Sequence, residues 1–221
     1  MCDRLIALEP TNIDYRLRRA WIDLCERADP RAVHAVPGKR ARLHLALFER
    51  DAAAAERALA ELQDDSFDAS GIGMTRFRRG YLEGLVARMK GDTIGVQAAF
   101  SAARVLQEKA VRAQPDDGTV LCVLGLLDAG LGRKEEALRE GRRALEIAPL
   151  TKDSMDYADV LYFYAVICAW TGERDLALEQ LETLAKIPAG VSYGDIRLNP
   201  YWDSLRSDPR FEKIVNSLAP R

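Results

Sequence analysis

The chain has 221 residues, of which 48% are hydrophobic and 30% are charged, and its formal net charge is −2. This balance is typical of a well-packed globular protein and excludes a disordered chain. The small net charge argues against a nucleic-acid-binding protein, because such proteins carry a basic surface. No run of about 18 apolar residues occurs, so we expect no membrane contact by this segment.

Few residues are of the types and spacings that carry chemistry. The four cysteines (Cys2, Cys25, Cys122 and Cys168) lie far apart and form no CxxC pair, which indicates free thiols in a reducing, cytoplasmic compartment. The two histidines, His34 and His44, lie in no catalytic motif. The glycines of Ser70-Gly71-Ile72-Gly73 lack the lysine of a phosphate loop. We therefore predict a protein that is not an enzyme and that uses no cofactor and no metal.

Nearly the whole chain is predicted to be helical, because alanine, leucine, arginine and glutamate dominate and no segment alternates with period two. The predicted helices span 12–27, 30–36, 39–50, 51–63, 74–90, 92–114, 117–131, 133–148, 153–171, 173–187 and 207–218, with a short turn near 199–206. Loops are predicted at Pro37-Gly38, Asp64–Gly73 and Pro188–Pro200. The other connections are so short that consecutive helices must be antiparallel neighbours.

Short turns recur along the chain at a nearly constant spacing. Gly91 precedes Gly132 by 41 residues, and Gly132 precedes Gly172 by 40. Arg50 continues the series, since it lies 41 residues before Gly91. The spacing predicts a stacked array of helical hairpins, which is an all-α superhelix. We expect one domain over residues 1–221, with irregular hairpins in 1–63, repeat-like hairpins in 74–187 and a capping segment in 188–221.

The unit from Gly118 to Pro149 resembles the tetratricopeptide repeat. The family pattern is W-x2-L-G-x2-Y, then A-x3-F-x2-A, then P; the residues that match it are Leu124, Gly125, Ala137, Ala144 and Pro149. The resemblance implies that Ala137 and Ala144 let paired helices approach. Departures from the pattern are Leu121 for the tryptophan, Asp128 for the tyrosine and Gly141 for the phenylalanine. At Gly141 we expect a larger neighbour, from helix 92–114 or from Tyr162 and Phe163, to fill the space.

Both ends of the chain have resemblances of their own. Residues 193–211 resemble the C-terminal ends of bacterial tetratricopeptide proteins, where the repeats follow a kinase, a nucleotide cyclase or a winged-helix module. This resemblance implies that the chain is part of a larger bacterial regulatory protein. The repeat array would be extracytoplasmic if a transmembrane helix precedes it. Leu5 to Pro10 looks like the end of a second repeat helix. We expect either a fragment or a short capping helix here, and a fragment could form a homodimer through its apolar N-terminal end.

The family resemblance implies a non-catalytic interaction scaffold whose first helices line a concave groove. Its partner would be a protein or peptide, or a sister domain of a longer chain, and not nucleic acid. Arginines and aromatics anchor such partners; the candidate groove residues are Arg78, Tyr81, Leu85, Arg88, Asp159, Tyr162, Phe163, Val166 and Trp170. In the alternative interpretation, the aromatics among them pack against neighbouring helices. The alternative function is a domain that senses a small molecule and regulates a linked catalytic or DNA-binding module.

Overall fold

The computed structural model describes residues 2–36, 38–63, 66–68, 76–149, 154–187 and 190–220. Over these residues the protein is almost entirely helical, which confirms the all-α class, while the superhelical arrangement stays a prediction. The helices are α1 Cys2–Leu8, α2 Ile13–Arg27, α3 Arg31–His34, α4 Lys39–Phe48, α5 Ala52–Ala60, α6 Arg79–Met89, α7 Thr93–Ala113, α8 Gly118–Gly130, α9 Lys134–Ile147, α10 Ser154–Trp170, α11 Arg174–Leu184, α12 Tyr193–Leu198 and α13 Pro209–Ser217. Pro200–Trp202 forms one turn of 3-10 helix.

The chain divides into two compact units. The first comprises Met1–Gln63, Ser192–Pro200 and Val215–Arg221, and the second comprises Asp64–Val191 and Tyr201–Ile214. In the first unit, α2 packs against α1, α3 and α12. Its core consists of buried apolar side chains from α2 to α4, namely Ala20, Leu24, Val33, Val36, Ala41, Leu45 and Phe48.

Helix α12 corrects the loop predicted over Pro188–Pro200. Ser192 begins the helix, since its Oγ accepts a hydrogen bond from the backbone N–H of Asp195 at 3.2 Å. Gly194 brings α12 against α2, because a Cβ at this position would overlap the backbone of Leu24. A six-residue helix is too short to show a hydrophobic period, so the sequence pattern missed it. Pro188 itself lies outside the described residues.

In the second unit, six helices from α6 to α11 form three hairpins, and α8 and α10 pack against each other across the hairpins. The hairpin turns lie at Gly91, Gly132 and Gly172, with φ of 69°, 78° and 83°. These left-handed values explain why glycine recurs there. Arg50, the predicted fourth member of the series, has φ of 58° between α4 and α5 in the first unit. The regularly spaced turn residues therefore all have the same left-handed backbone conformation.

The small residues of the Gly118–Pro149 unit bring its two helices together. A Cβ on Gly118 would lie 2.7 Å from the carbonyl oxygen of Ala144, and a Cβ on Gly125 would lie 3.1 Å from that of Ala137. Helix α8 thus lies directly on the backbone of α9. The prediction that small residues allow this close approach is confirmed.

A short strand pair precedes α6 and corrects the helix predicted over 74–90. Ser66–Asp68 pairs antiparallel with Arg76–Arg78, with Phe67 opposite Phe77, and α6 begins only at Arg79. Residues 64–65 and 69–75, which include most of the predicted loop and its glycines, lie outside the described part of the chain. The side chain of Phe77 is buried, which anchors the second strand to the helical core.

Candidate functional site

The predicted groove residues lie on α6 and α10, the first helices of two hairpins, and on the strand before α6. The structure buries six of them: Tyr81, Leu85, Asp159, Tyr162, Phe163 and Val166. Arg78 and Arg88 are exposed, and Trp170 is half-buried at the end of α10. Their role in partner binding stays a prediction, and in this conformation only the last three present substantial surface.

An aromatic cluster connects α6 to α10 through the middle of the second unit. We use this name for Phe77, Tyr81, Phe100, Tyr162, Phe163, Trp170, Tyr201 and Trp202. Phe77 stacks on Tyr81 with ring centroids 4.2 Å apart and meets Phe163 edge-on at 5.3 Å. Such pairs add about 0.5–1.5 kcal/mol each beyond the burial of their surface. Six of these rings form a packed platform, and Tyr201 and Trp202 belong to the segment that lies over it; the platform consists of Phe77, Tyr81, Phe100, Tyr162, Phe163 and Trp170.

Residues Tyr201–Leu205, here called the covering segment, lie over the platform. The ring of Tyr201 meets Trp170 edge-on at 5.5 Å, and Trp202 meets Tyr162 in the same way at 5.4 Å. Ser204 Oγ donates a hydrogen bond to the carbonyl oxygen of Ala169 at 3.1 Å. Trp202 and Leu205 have no exposed surface. The covering segment thus contacts α10 through two aromatic rings and through a side-chain hydrogen bond to the main chain of α10.

A hydrogen bond between two hydroxyl groups joins the covering segment to α6. Tyr81 Oη donates to Tyr201 Oη at 2.9 Å. Burial, together with the neighbouring Tyr201, raises the pKa of Tyr81 well above its ordinary range, so this hydroxyl keeps its proton and remains a donor. The hydrogen bond fixes the covering segment across both first helices.

At the edge of the platform an arginine and a tryptophan remain accessible. The guanidinium carbon of Arg88 lies 4.4 Å from the centre of the Trp170 ring, which is cation–π geometry. Tyr201 is half-buried beside Trp170. Arginine and aromatic side chains at one edge are the residue types that dominate binding energy in protein interfaces.

Sequence reasoning missed four members of the aromatic cluster as parts of this site: Phe77, Phe100, Tyr201 and Trp202. Phe100 fills the space left by Gly84 and Gly130, since a Cβ on either glycine would overlap its ring. The adjacent aromatics Tyr201 and Trp202, set in a polar segment between two prolines, were the available signal. Such a pair exposed to water would be unfavourable, so it indicated a buried contact.

A second group of titratable side chains lies between α7, α8 and α9. Asp128 is fully buried, and Arg104 donates to both of its oxygens, from Nε at 2.7 Å and from Nη2 at 3.1 Å. Burial, and then the adjacent Asp128 carboxylate, raises the pKa of Glu140 to about 8. At neutral pH Glu140 is therefore protonated and can share its proton with Asp128. Arg104, Asp128 and Glu140 thus form a charged network between the three helices.

The two histidines lie in the first unit and are held by ordinary contacts. His34 Nε2 is 2.6 Å from Glu49 Oε1 on the surface. The ring of His44 lies 5.7 Å from that of Trp21, and burial lowers the pKa of His44 to about 4. Within the described ranges, no group of three or more His, Cys, Asp and Glu side chains could hold a metal ion.

Comparisons of the chain with protein-family models, with curated proteins and with solved structures found no match. Among the helices of the described residues, none has the length and apolar content needed to cross a membrane. The assignment of a function therefore depends on the fold and on the site geometry.

Proposed function

We propose that this protein is a non-catalytic protein-interaction module of the tetratricopeptide type, in which the platform on α6 and α10 binds an aromatic peptide segment. One observation carries the proposal: the covering segment occupies the platform in the manner of a peptide ligand. Tyr201 and Trp202 serve as anchors, and the Ser204 hydroxyl adds a hydrogen bond to the Ala169 carbonyl of α10. A partner segment with a comparable aromatic pair would take the same position.

The repeat geometry supports the choice of module. The turns at Gly91, Gly132 and Gly172 keep the spacing and the backbone conformation expected of a hairpin array. In such arrays the first helices face one side and provide the binding surface. A linked regulatory module on a longer bacterial chain, implied by the family resemblance, stays a prediction.

A partner would compete with the covering segment, which is tethered to the same chain. Tethering gives the covering segment an effective concentration in the millimolar range. A free peptide of the same sequence will therefore bind the native protein poorly. Weakening the covering segment by about 1.4 kcal/mol should strengthen the binding of a free peptide tenfold. This relation makes the proposal measurable without a known partner.

The test uses the full chain with Tyr201→Ala, which removes the Trp170 contact and the hydrogen bond from Tyr81. A labelled peptide of residues 199–208, NPYWDSLRSD, is titrated by fluorescence anisotropy against the variant and the native protein. We expect the variant to bind at least tenfold more tightly than the native chain. A control peptide with both aromatics replaced by alanine should bind neither protein.

Circular dichroism and thermal melting establish that the variant is folded. If the folded variant fails to bind the peptide even at about 1 mM, which is comparable to the effective concentration of the weakened tethered segment, the platform accepts only its own segment. That outcome would overturn the proposal. Hydrogen exchange should also show protection of α6 and α10 amides when the peptide binds, and exchange confined to other helices would contradict the assigned site.

A further inference from the structure

The outward side of helix α7 is unusual for this chain because it lacks charge. From Thr93 to Ala103 the sequence contains no Asp, Glu, Lys or Arg, although 30% of the whole chain is charged. The first charged side chain of the helix, Arg104, is directed to the buried Asp128 of α8. The exposed surface of α7 is therefore uncharged as far as Leu106.

Large apolar side chains are exposed at two places along this surface. Ile94 is 82% exposed, Val105 54% and Leu106 43%, and these are three of the six exposed large hydrophobic residues in the part of the chain that the structure describes. Between them lie small exposed residues. Spacings of three and four place the set on one side of the helix; we call it the α7 outer face, and it consists of Ile94, Ala98, Ser101, Ala102, Val105 and Leu106.

The corresponding second helices of the next two hairpins differ sharply from α7. On α9 the exposed positions carry charges, with Lys134, Glu135, Arg139, Arg142, Arg143 and Glu146. On α11 they carry Arg174, Asp175, Glu179 and Glu182. A charged outward side is normal for a helix at the surface. The α7 outer face therefore has the composition of a covered surface.

We propose that the α7 outer face is a homodimer interface, at which the α7 helices of two copies pack antiparallel. The face is nearly symmetric about its middle, with a large apolar residue at each end and small residues between. Antiparallel packing places Ile94 of one copy against Val105 and Leu106 of the other. It also places Ala98 against Ala102, so that the backbones come close. A two-fold interface requires this self-complementarity.

The charges at the ends of α7 fit the same arrangement. Asp92, which caps the N-terminus of α7, is exposed, and so is Lys109 near its C-terminus. Antiparallel packing brings Asp92 of one copy beside Lys109 of the other, and it also opposes the helix dipoles favourably. Parallel packing would place like charges together at both ends. The Asp92–Lys109 pair therefore favours a second copy in antiparallel orientation as the occupant, against an opposing contribution from the exposed Lys90 next to Asp92.

Sedimentation equilibrium of the full chain tests the proposal. We expect a weak dimer with a Kd of roughly tens of micromolar, because one helix pair buries less than the ~1,200 Å² of a standard interface. Ala98→Glu should weaken dimerisation at least tenfold by placing a charge in the centre. The matched control is Ala53→Glu, an exposed alanine on α5, which should leave the dimer unchanged.

Two outcomes of the sedimentation experiment would overturn the proposal. One is a native monomer at concentrations far above the expected Kd. The other is a dimer that survives Ala98→Glu but dissociates with Leu8→Glu, since Leu8 is 79% exposed at the N-terminal end and would then be the contact. Circular dichroism of each variant confirms that it is folded.

Oxidative crosslinking determines the orientation. Cys2 and Cys25 are partly exposed and are replaced by serine, whereas Cys122 and Cys168 are buried and stay. In this background Ser101→Cys, near the two-fold axis, should form a crosslinked dimer. Ile94→Cys should not, because the two copies of residue 94 would lie about 20 Å apart along the helices at a rise of 1.5 Å per residue. Crosslinks at both positions would indicate parallel packing, and a crosslink at neither would mean that α7 is not the interface; either result would contradict the proposal.

Discussion

The ring of Tyr164 lies directly on the backbone at Gly141. A Cβ on Gly141 would overlap this ring and would lie 3.2 Å from Cδ1 of Ile167. The tetratricopeptide pattern has a phenylalanine at this position of the second helix, and here α10 of the next hairpin supplies the aromatic ring instead. The sequence predicted that a residue of helix 92–114, or Tyr162 and Phe163, would fill this space. That prediction is wrong, because the ring belongs to Tyr164, the next residue on α10. The small residues on this side of α9 therefore serve the close packing of helices.

We predict that Gly141→Leu lowers the free energy of unfolding by about 1–3 kcal/mol through overpacking. Tyr164 is 4% exposed and cannot move into solvent without leaving the core. Urea denaturation measures the change, with Arg139→Leu on the exposed side of the same helix as the control, for which about 0.5 kcal/mol or less is expected. A neutral or stabilising Gly141→Leu would mean that the space is open.

The buried carboxylate of Asp128 has an equally local explanation. Asp128 stands where the pattern has tyrosine, and Arg104 of the preceding hairpin binds both of its oxygens. We predict that Arg104→Met destabilises the protein by about 3 kcal/mol, because it leaves a fully buried carboxylate with only the more distant Arg133 guanidinium, whose Nη1 is 3.6 Å away. Denaturation of Arg143→Met, which breaks only the exposed pair with Glu146, should show a change below about 1 kcal/mol.

A double variant separates charge burial from lost packing at this pair. Combining Arg104→Met with Asp128→Leu removes both charges and should recover most of the lost stability. If Arg104→Met alone were neutral, or if the double variant were as unstable as the single one, the ion pair would not be the cause.

Local features of the fold could be predicted from the sequence, and long-range ones could not. The turns at Gly91, Gly132 and Gly172 were predicted because a hairpin repeat leaves its spacing in the chain. Helix α12 and the pairing of Phe67 with Phe77 were missed, because elements of three to six residues carry too little periodicity. The hydrogen bond from Tyr81 to Tyr201 joins residues 120 positions apart, and no local pattern indicates such a contact.

The candidate site shows the same limit. Periodicity placed Tyr162 and Phe163 on the inner side of a first helix, and the structure has both on α10 in one aromatic cluster. The sequence of a single helix does not show whether that side is exposed or covered by another segment of the chain. In the structure the covering segment lies over this side of α10. Its contacts come from Tyr201 and Trp202, which meet Trp170 and Tyr162 at long separations in the sequence.

We predict that stability falls as pH rises from about 6.5 to 8, because of Glu140. Below this range the lowered pKa of His44, about 4 in the folded protein, makes stability rise with pH. The pKa of Glu140 in the folded protein, raised to about 8, exceeds the ordinary carboxyl value, so the folded state holds a proton that the unfolded state has lost between about pH 6.5 and 8. Since Glu140 is only half-buried, solvent screening limits the expected loss to about 1–2 kcal/mol. Thermal melts across the pH range measure it.

Glutamine at position 140 keeps the shape of the protonated carboxyl group and cannot ionise. Glu140→Gln should therefore flatten the pH dependence between about pH 6.5 and 8 and raise stability at the alkaline end, while the rise due to His44 at lower pH remains. Glu135→Gln, on the exposed side of the same helix, is the control and should leave the profile unchanged. An unaltered slope in Glu140→Gln would assign the pH dependence to other groups.

The hydroxyl pair of Tyr81 and Tyr201 should respond asymmetrically to substitution. Tyr81 is 1% exposed, so Tyr201→Phe leaves its hydroxyl buried without the acceptor and should cost about 1–3 kcal/mol. Tyr81→Phe leaves the hydroxyl of the half-buried Tyr201 within reach of water and should cost about 1 kcal/mol or less. Urea denaturation of both variants and of the double variant gives the coupling between them. Equal losses and no coupling would mean that the hydrogen bond does not hold the covering segment on α6.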